Sequence, residues 1–385
     1  MNPIFVYPGS FSPPTYGHFS IVKQVAAFTP EIIIICSTND EKSSVFTEEE
    51  SVELWQAYKL PPNVRVLTFA SFLAERIDPE NIIMVRGIRD SQDFDYEKKV
   101  AFLNRDNFGI DKFLYIMSNP ENENVSSSAA RKAAEELRLT DLAKLVAPRV
   151  ATALLEKTLH VKNLILVVGR PGSGKSTFLR QLTKFDPRNV HINTDDFNQQ
   201  LRLLLQSIFQ ETNLTKIALE REEEVKAAIA KPWMEMLSQS LRQVPPDSNV
   251  FVEIAYAFKP GMDLYKILGG KTLYFDCGNT KENERRLKAR GTPHLNPLIA
   301  TIPDWIETKR LADKENLQIG LIDTTGTLAQ MKKKVEWLSN RLNQTTPLFP
   351  FPIYGDLEPG SQSVSYRRVL SLSFRNRGHL RKVGD

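Results

Sequence analysis

Short apolar runs separated by longer amphipathic stretches organise this chain. Five runs come first: Ile4–Tyr7, Ile32–Cys36, Val64–Phe69, Ile82–Val85 and Phe113–Met117. Each has the length and side-chain type of a buried strand. Helical spacing recurs between and after them in Phe19–Ala27, Glu48–Tyr58, Ser71–Arg76, Phe94–Asp106 and Ser128–Leu137. Thr47, followed three residues later by Glu50, reads as a capping-box start for the second of these. The alternation predicts an α/β unit with a parallel, doubly wound sheet. Ligands of such sheets gather at the carboxyl ends of the strands.

A helical run, Leu142–Leu159, closes this unit, and the pattern restarts. Leu164–Val168, Val190–Asn193, Val250–Ile254, Thr272–Asp276 and Gly320–Asp323 read as strands, with helical segments such as Gln199–Ile208 and Ala218–Gln243 among them. The fold class expected is therefore α/β, with two doubly wound parallel-sheet domains. They cover residues 1–160 and 161–342, with the boundary near His160–Lys162. Over residues 343–385 the pattern lapses. Thr346–Pro352 reads TPLFPFP, and Gly355, Pro359 and Gly360 follow, which excludes a regular core element. Arg367, Arg368, Arg375, Arg377, Arg381 and Lys382 then face one acid, Asp385. The plain reading is an irregular, basic, solvated tail; the sharper one is a docking arm for an acidic partner or nucleic acid.

Composition narrows the class. An apolar fraction of 41% supports ordinary globular cores. Net charge is +4, but acids are interspersed almost everywhere, so nucleic acid is disfavoured as a partner of the two domains. Cys36 and Cys277 are the two cysteines; both sit in or beside strand-like runs and read as reduced core residues. No run approaches the ~20 apolar residues of a membrane helix. The start lacks the basic and long apolar regions of a signal peptide. The expectation is a soluble, cytoplasmic protein with no membrane partner.

Two loops carry candidate chemistry. Pro8–His18, PGSFSPPTYGH, lies between the first strand and the first helix. A helix start presents unpaired N–H groups and the positive end of its dipole, so an anion fits there. Transfer between phosphates needs no covalent nucleophile from the protein. It needs backbone donors, a hydroxyl, an imidazole and cations, usually with Mg²⁺. Ser10, Thr15 and His18 stand in this loop; Lys42 follows the second strand; Arg86 and Arg89 follow the fourth; Ser126, Ser127 and Ser128 begin a helix after the fifth, with Arg131 one turn in. A parallel sheet brings all of these to one end.

The second loop, Gly169-Arg170-Pro171-Gly172-Ser173-Gly174-Lys175-Ser176, has the G-x-x-x-x-G-K-[ST] spacing. It follows a strand and opens a helix at Thr177. Gly169, Gly172, Ser173, Gly174, Lys175, Ser176 and Thr177 would cradle nucleotide phosphates, with Lys175 on the β/γ-phosphates and Ser176 on Mg²⁺. Asp195 and Asp196 end the next strand, where a carboxylate could meet an acceptor hydroxyl or merely cap a helix. Glu253 ends the third strand and could position Mg²⁺ or water. Lys281–Arg290, KENERRLKAR, offers Arg286 and Arg290 as lid arginines, or else a solvated face with local ion pairs.

Residues 1–159 resemble the bacterial phosphopantetheine adenylyltransferases, nucleotidylyltransferases with a T/HxGH signature. YPGSF…TYGH at Tyr7–His18, Lys42 before VFT, VRGIRDSQDFDYE at Val85–Glu97, Asn104-Arg105 and Ser126–Ser128 carry the resemblance. It implies a Rossmann-like fold and adenylyl transfer from ATP to 4′-phosphopantetheine, giving dephospho-CoA and pyrophosphate. By the same resemblance, Ser10 binds both substrates' phosphates and His18 stabilises the transition-state oxygens. Lys42 and Arg86 hold the phosphate of 4′-phosphopantetheine. Arg89, Glu97, Ser126, Ser127 and Ser128 hold ATP, with Phe11 beside them, and Gly87 lets the backbone approach it. Family members are usually hexamers, which implies a homo-oligomer. Two departures stand out. Ser12 replaces the usual Asp, which would remove a carboxylate near the phosphate path. Glu121-Asn122-Glu123-Asn124 replaces the usual aromatics, which would alter the adenosine pocket.

The second half is similar to small P-loop kinases, loosely beyond the loop itself. Its phosphoryl acceptor is left open. A dephospho-CoA kinase would make the chain a bifunctional CoA synthase. Alternatively, the first half adenylylates another phosphate monoester and the second is a nucleotide-gated binding module.

Overall fold

The computed structural model describes residues 3–38, 44–89, 91–211, 220–259 and 261–344. Lys42 and the tail from residue 345 onward lie outside the described residues.

In the first sheet, β1 (Ile4–Gly9), β2 (Ile32–Cys36), β3 (Val64–Thr68), β4 (Ile82–Ile88) and β5 (Lys112–Met117) run parallel in the order β3-β2-β1-β4-β5. The β2 run is apolar at every position because both faces are covered. Ile32, Ile34 and Cys36 pack on one side with the helices Tyr16–Ala26 and Pro148–Leu159. Ile33 and Ile35 pack on the other with Val6, Ile82 and Met84. The chain adds strands on one side of β1 and then on the other, so a crevice opens where β1 and β4 end.

The second sheet comprises β6 (Asn163–Val168), β7 (Asn189–Asn193), β8 (Asn249–Glu253), β9 (Lys271–Asp276) and β10 (Gln318–Asp323). All are parallel, in the order β10-β9-β6-β8-β7. The same alternation holds. Ile165 and Val167 face one cluster, whereas Leu164, Leu166 and Val168 face another.

Leu142–Leu159 is two helices rather than the single one expected. Leu139–Leu145 ends at Val146, Ala147 is extended, and Pro148 opens Pro148–Leu159. Proline drives the residue before it out of the helical region and suits the first helical position itself. The β3 run is also one residue shorter than its apolar stretch. Thr68 caps the helix Phe69–Ala74 by accepting from the Ser71 amide.

The helix Pro148–Leu159 serves both sheets. Its apolar face belongs to a core cluster that runs from the first sheet into the second. Lys157 Nζ reaches Glu50 Oε1 of the first unit at 2.7 Å. Glu156 binds Lys271 Nζ of β9 at 2.7 Å and accepts from the Leu164 amide of β6. Gly270 lets the backbones close up: a Cβ there would sit 2.8 Å from the Arg149 Cα. His160, in the left-handed region, ends this helix, and β6 begins three residues later. Ser238 Oγ also donates to the Leu137 carbonyl across the same join. Among the described residues, no helix is long and apolar enough to cross a membrane. Both cysteines are buried and free.

Candidate functional site

At the carboxyl end of the first sheet lies a cleft of about 660 Å³. Of the residues expected there, Ser10, Phe11, His18, Arg86, Gly87, Arg89, Glu97 and Ser126–Ser128 all line it. Lys42 lies outside the described residues.

The first loop is fixed from beneath. Phe11 takes a positive φ of 42° and is buried. Its ring meets Tyr7, His18 and Trp55 edge-on, with centroids 5.2, 5.1 and 5.1 Å away. It holds the loop against the imidazole from beneath while lining the cleft. His18 closes a capping box with Thr15. The Thr15 amide donates to Nδ1 of His18 at 3.1 Å, and the Thr15 hydroxyl accepts from the His18 amide. Nδ1 is therefore an acceptor, and the ring proton sits on Nε2. Burial, and then the Arg89 charge, pull the His18 pKa down to about 4. At neutral pH the imidazole is an uncharged donor.

Ser12 does not line the cleft. Its hydroxyl is buried and accepts from the amides of Val45 (2.9 Å) and Phe46 (3.2 Å) and from the Ser44 hydroxyl. Its carbonyl accepts from Arg131 Nη1 at 2.6 Å. The side chain at position 12 is thus turned to the segment 44–46 rather than into the cleft. Position 12 needs an acceptor for two amides, which a serine supplies as an aspartate would. The Ser12–Pro13 peptide is cis.

The two arginines of β4 and its loop are each matched by an acid. Arg86 grips Glu97 through Nε (2.5 Å) and Nη2 (2.7 Å), and its Nη1 donates to the Pro8 carbonyl. Arg89 pairs with Asp93 through Nε at 2.8 Å. The Arg89 hydrogen bonds hold the Asp93 carboxyl below its usual range against partial burial. Asp93 was legible only as an acid four residues on in DSQDFD. Gly87 is needed for packing, since a Cβ there would lie 2.2 Å from Ile21 Cδ1.

Ser126 caps the helix Ser127–Glu135 by accepting from the Ala129 amide. Ser127 donates to the Pro13 carbonyl, and Ser128 accepts from Arg131. The serine run thus ties the helix start to the first loop. The polar segment 121–124 stays out of the cleft lining; Val125, Ile21 and Met84 supply its apolar wall.

The second loop follows β6. Gly169, Gly172 and Gly174 have φ of 140°, 78° and 92°. A Cβ on Gly169 would meet the Phe275 carbonyl at 2.4 Å, and one on Gly172 the Asn283 carbonyl at 2.7 Å. Such a loop turns its amides inward as an anion nest. The helix opens at Lys175, two residues before the expected start. Lys175 is buried and folds back onto the Gly169 and Arg170 carbonyls at 2.8 and 3.2 Å. Burial lowers its pKa, while the Glu253 charge opposes the shift. Thr324 donates to the Ser173 carbonyl.

Glu253 ends β8 beside β6, so its carboxylate lies next to the loop. Oε1 accepts from the Ser176 hydroxyl at 3.0 Å, and Oε2 meets His191 Nε2 at 2.9 Å. Burial pushes the Glu253 pKa up, but the His191 hydrogen bond and the Lys175 charge outweigh it and leave the carboxyl below its ordinary value. Asp195 stands at the rim. Partial enclosure, and then the Glu253 charge, raise its pKa. Asp196 is held by Asn193, which itself caps the turn Thr194–Phe197. Neither aspartate is the cap.

Arg286 lies against the second loop. Its guanidinium binds Glu282 (2.7 Å) and both oxygens of Thr324 (3.1 and 3.0 Å), beside Gly174. Arg290 ends the same helix, Thr280–Ala289, and its charge is felt by both Lys175 and Asp195. His191 and Thr324 escaped the sequence reading because their partners lie 62 and 38 or more positions away. Among the described residues, no cluster of three or more His, Cys, Asp or Glu could hold a metal.

Residues 6–133 match the family model described as cytidylyltransferase-like, and residues 158–245 match that of an AAA domain. A phosphopantetheine adenylyltransferase of Mannheimia succiniciproducens is 34% identical over 159 residues, covering 41% of this chain and 99% of that protein. One from Symbiobacterium thermophilum is 36% identical over 154 residues, covering 40% of this chain and 94% of its own. A crystal structure of NadR protein in complex with NR aligns over 88% of this chain and 96% of that one, at 14% identity and a TM-score of 0.30.

Proposed function

Since this chain belongs, through its N-terminal part, to the phosphopantetheine adenylyltransferase family, we propose that its first cleft transfers the adenylyl group of ATP to 4′-phosphopantetheine. Dephospho-CoA and pyrophosphate are the products. The observation that carries this reading is the convergence of His18, Arg86, Arg89 and the start of Ser127–Glu135 on one cleft.

The chemistry follows from the geometry. The acceptor phosphate attacks the α-phosphorus of ATP, its oxygen forms the new P–O bond, and pyrophosphate leaves with the electrons of the old one. Negative charge on the transferring group is met by the Nε2–H of neutral His18, a donor already in place. Arg86 and Arg89, preset by Glu97 and Asp93, supply cationic forks for the two anions. The reverse reaction tests the assignment: dephospho-CoA with pyrophosphate should yield ATP, and no ATP would refute it.

The second loop supports ATP-dependent phosphoryl transfer at a separate site. Lys175 would turn from its own loop carbonyls to the β/γ-phosphates. Ser176 and Glu253 form an oxygen pair of the kind Mg²⁺ takes, with phosphate oxygens and water completing its shell. When bound there, Mg²⁺ would neutralise charge on the transferring phosphate. Asp195, raised in pKa at the rim, would accept the acceptor's hydroxyl proton. Dephospho-CoA is the first acceptor to try, because the first site would make it. Full-length protein with ATP and dephospho-CoA should then form CoA. A Lys175→Ala variant forming as much would remove the loop from the reaction.

A further inference from the structure

Glu253 is nearly fully buried, and its two carboxylate oxygens have two different side-chain partners. One is Ser176, at the point where the nucleotide's cation would sit. The other is His191, from the neighbouring strand. The register of β7 on β8 explains the match. Asn193 pairs with Glu253, and His191, two residues earlier, projects from the same face. Asn193 is spent elsewhere: its Oδ1 accepts from the Asp195 amide and its Nδ2 donates to Asp196. Lys175 Nζ is 3.9 Å from Oε1, beyond hydrogen-bond reach, and is held by the loop carbonyls. The main chain at Glu253 is pinned separately, by the Thr194 hydroxyl on its carbonyl. The side chain is held at its two oxygens, Oε1 by Ser176 and Oε2 by His191, and His191 is the partner on the side away from the loop. Because a carboxylate only accepts, the His191 proton on this bond sits on Nε2.

We infer that His191 is a positioning residue: its Nε2–H holds Oε2 of Glu253 so that Oε1 stays turned to Ser176 and to the cation that accompanies the nucleotide. Without it, Oε2 loses its partner in a buried site and the carboxylate swings toward Lys175, competing for the ammonium that the phosphates need. Partners of this kind typically govern roughly tenfold to a hundredfold of metal affinity. This inference rests on the nucleotide-binding reading of residues 169–176.

The test must see this loop alone, because both sites take ATP. Hydrogen exchange of the peptide carrying residues 169–176, in full-length protein titrated with ATP, does so with Mg²⁺ or with EDTA. Wild type should reach half-protection at lower ATP with Mg²⁺ than with EDTA. His191→Ala should lose about tenfold or more of that gain and keep the EDTA value. His191→Gln, which retains an N–H donor, should regain most of it. A His191→Ala variant that keeps the full Mg²⁺ gain overturns the inference. So does one that weakens both titrations equally, or a loss that His191→Gln does not rescue. A wild-type loop that ATP never protects refutes the nucleotide-binding reading itself, and the inference falls with it. A wild-type loop protected equally with and without Mg²⁺ refutes only the inference.

Discussion

The Thr15 amide donates to Nδ1 of His18 at 3.1 Å, and this one bond decides what the imidazole can do. It leaves Nε2 as the proton-bearing atom, and burial with the nearby Arg89 keeps the ring neutral. A pre-set neutral donor suits a site that must stabilise charge arising during transfer without first losing a proton.

The first prediction concerns this titration. The folded pKa is about 4, against an ordinary value of 6.5. Between those limits the unfolded chain binds a proton that the folded chain refuses. Stability from this group is therefore full above 6.5 and is lost as pH falls toward 4. His18→Asn should flatten that part of the curve of urea midpoint against pH. In the wild type, the His18 ring resonance should stay neutral through pH 6; a midpoint near 6.5 would contradict the assignment.

The second concerns Ser12. Ser12→Ala strands the amides of Val45 and Phe46 and should cost about 1–3 kcal/mol, with adenylyl transfer weakened. Ser12→Asp keeps an acceptor and should retain most of the activity. Urea denaturation with initial rates for the three proteins checks this. A Ser12→Ala variant as stable as wild type would sink it.

The contrast between what was and was not legible in the sequence follows the range of the interactions. Buried parallel strands show as unbroken runs, as in Ile32–Ile35, because both faces are covered. The capping box at Thr47 and Glu50 is a local pattern and stands as read. The helix break at Ala147-Pro148 was also local, marked by Pro148 inside an otherwise continuous helical spacing. Ser12 shows the harder case. Its neighbours in sequence place it in a phosphate loop, whereas its partners, 32 to 34 positions away, make it a clasp for another segment. Likewise the sequence does not show that Arg286 is brought beside Thr324, 38 positions away.

A third prediction uses Gly169. With φ of 140° and a Cβ position 2.4 Å from the Phe275 carbonyl, it has no room for a side chain. Gly169→Ala should shift the loop and abolish ATP protection of residues 169–176 in hydrogen exchange. Pyrophosphate formation in the first cleft should persist. Undiminished protection would show that the loop tolerates the clash.

A fourth tests the join. Glu156 and Lys271 form a pair that is largely buried where the helix Pro148–Leu159 meets β9. Removing one partner of such a pair costs about 3 kcal/mol or more. Glu156→Ala should lower the urea midpoint accordingly, and adding Lys271→Ala should then cost little further, because the pair is already broken. Two fully additive losses would show that the ions act independently.

The most direct test of adenylyl transfer is pyrophosphate release from ATP by the full chain, with and without 4′-phosphopantetheine. The wild type should release pyrophosphate only when the acceptor is present, in step with dephospho-CoA. Lys175→Ala should behave like wild type, and His18→Ala should lose roughly a hundredfold or more in turnover. Release that ignores the acceptor, or a His18→Ala variant as fast as wild type, would contradict the account.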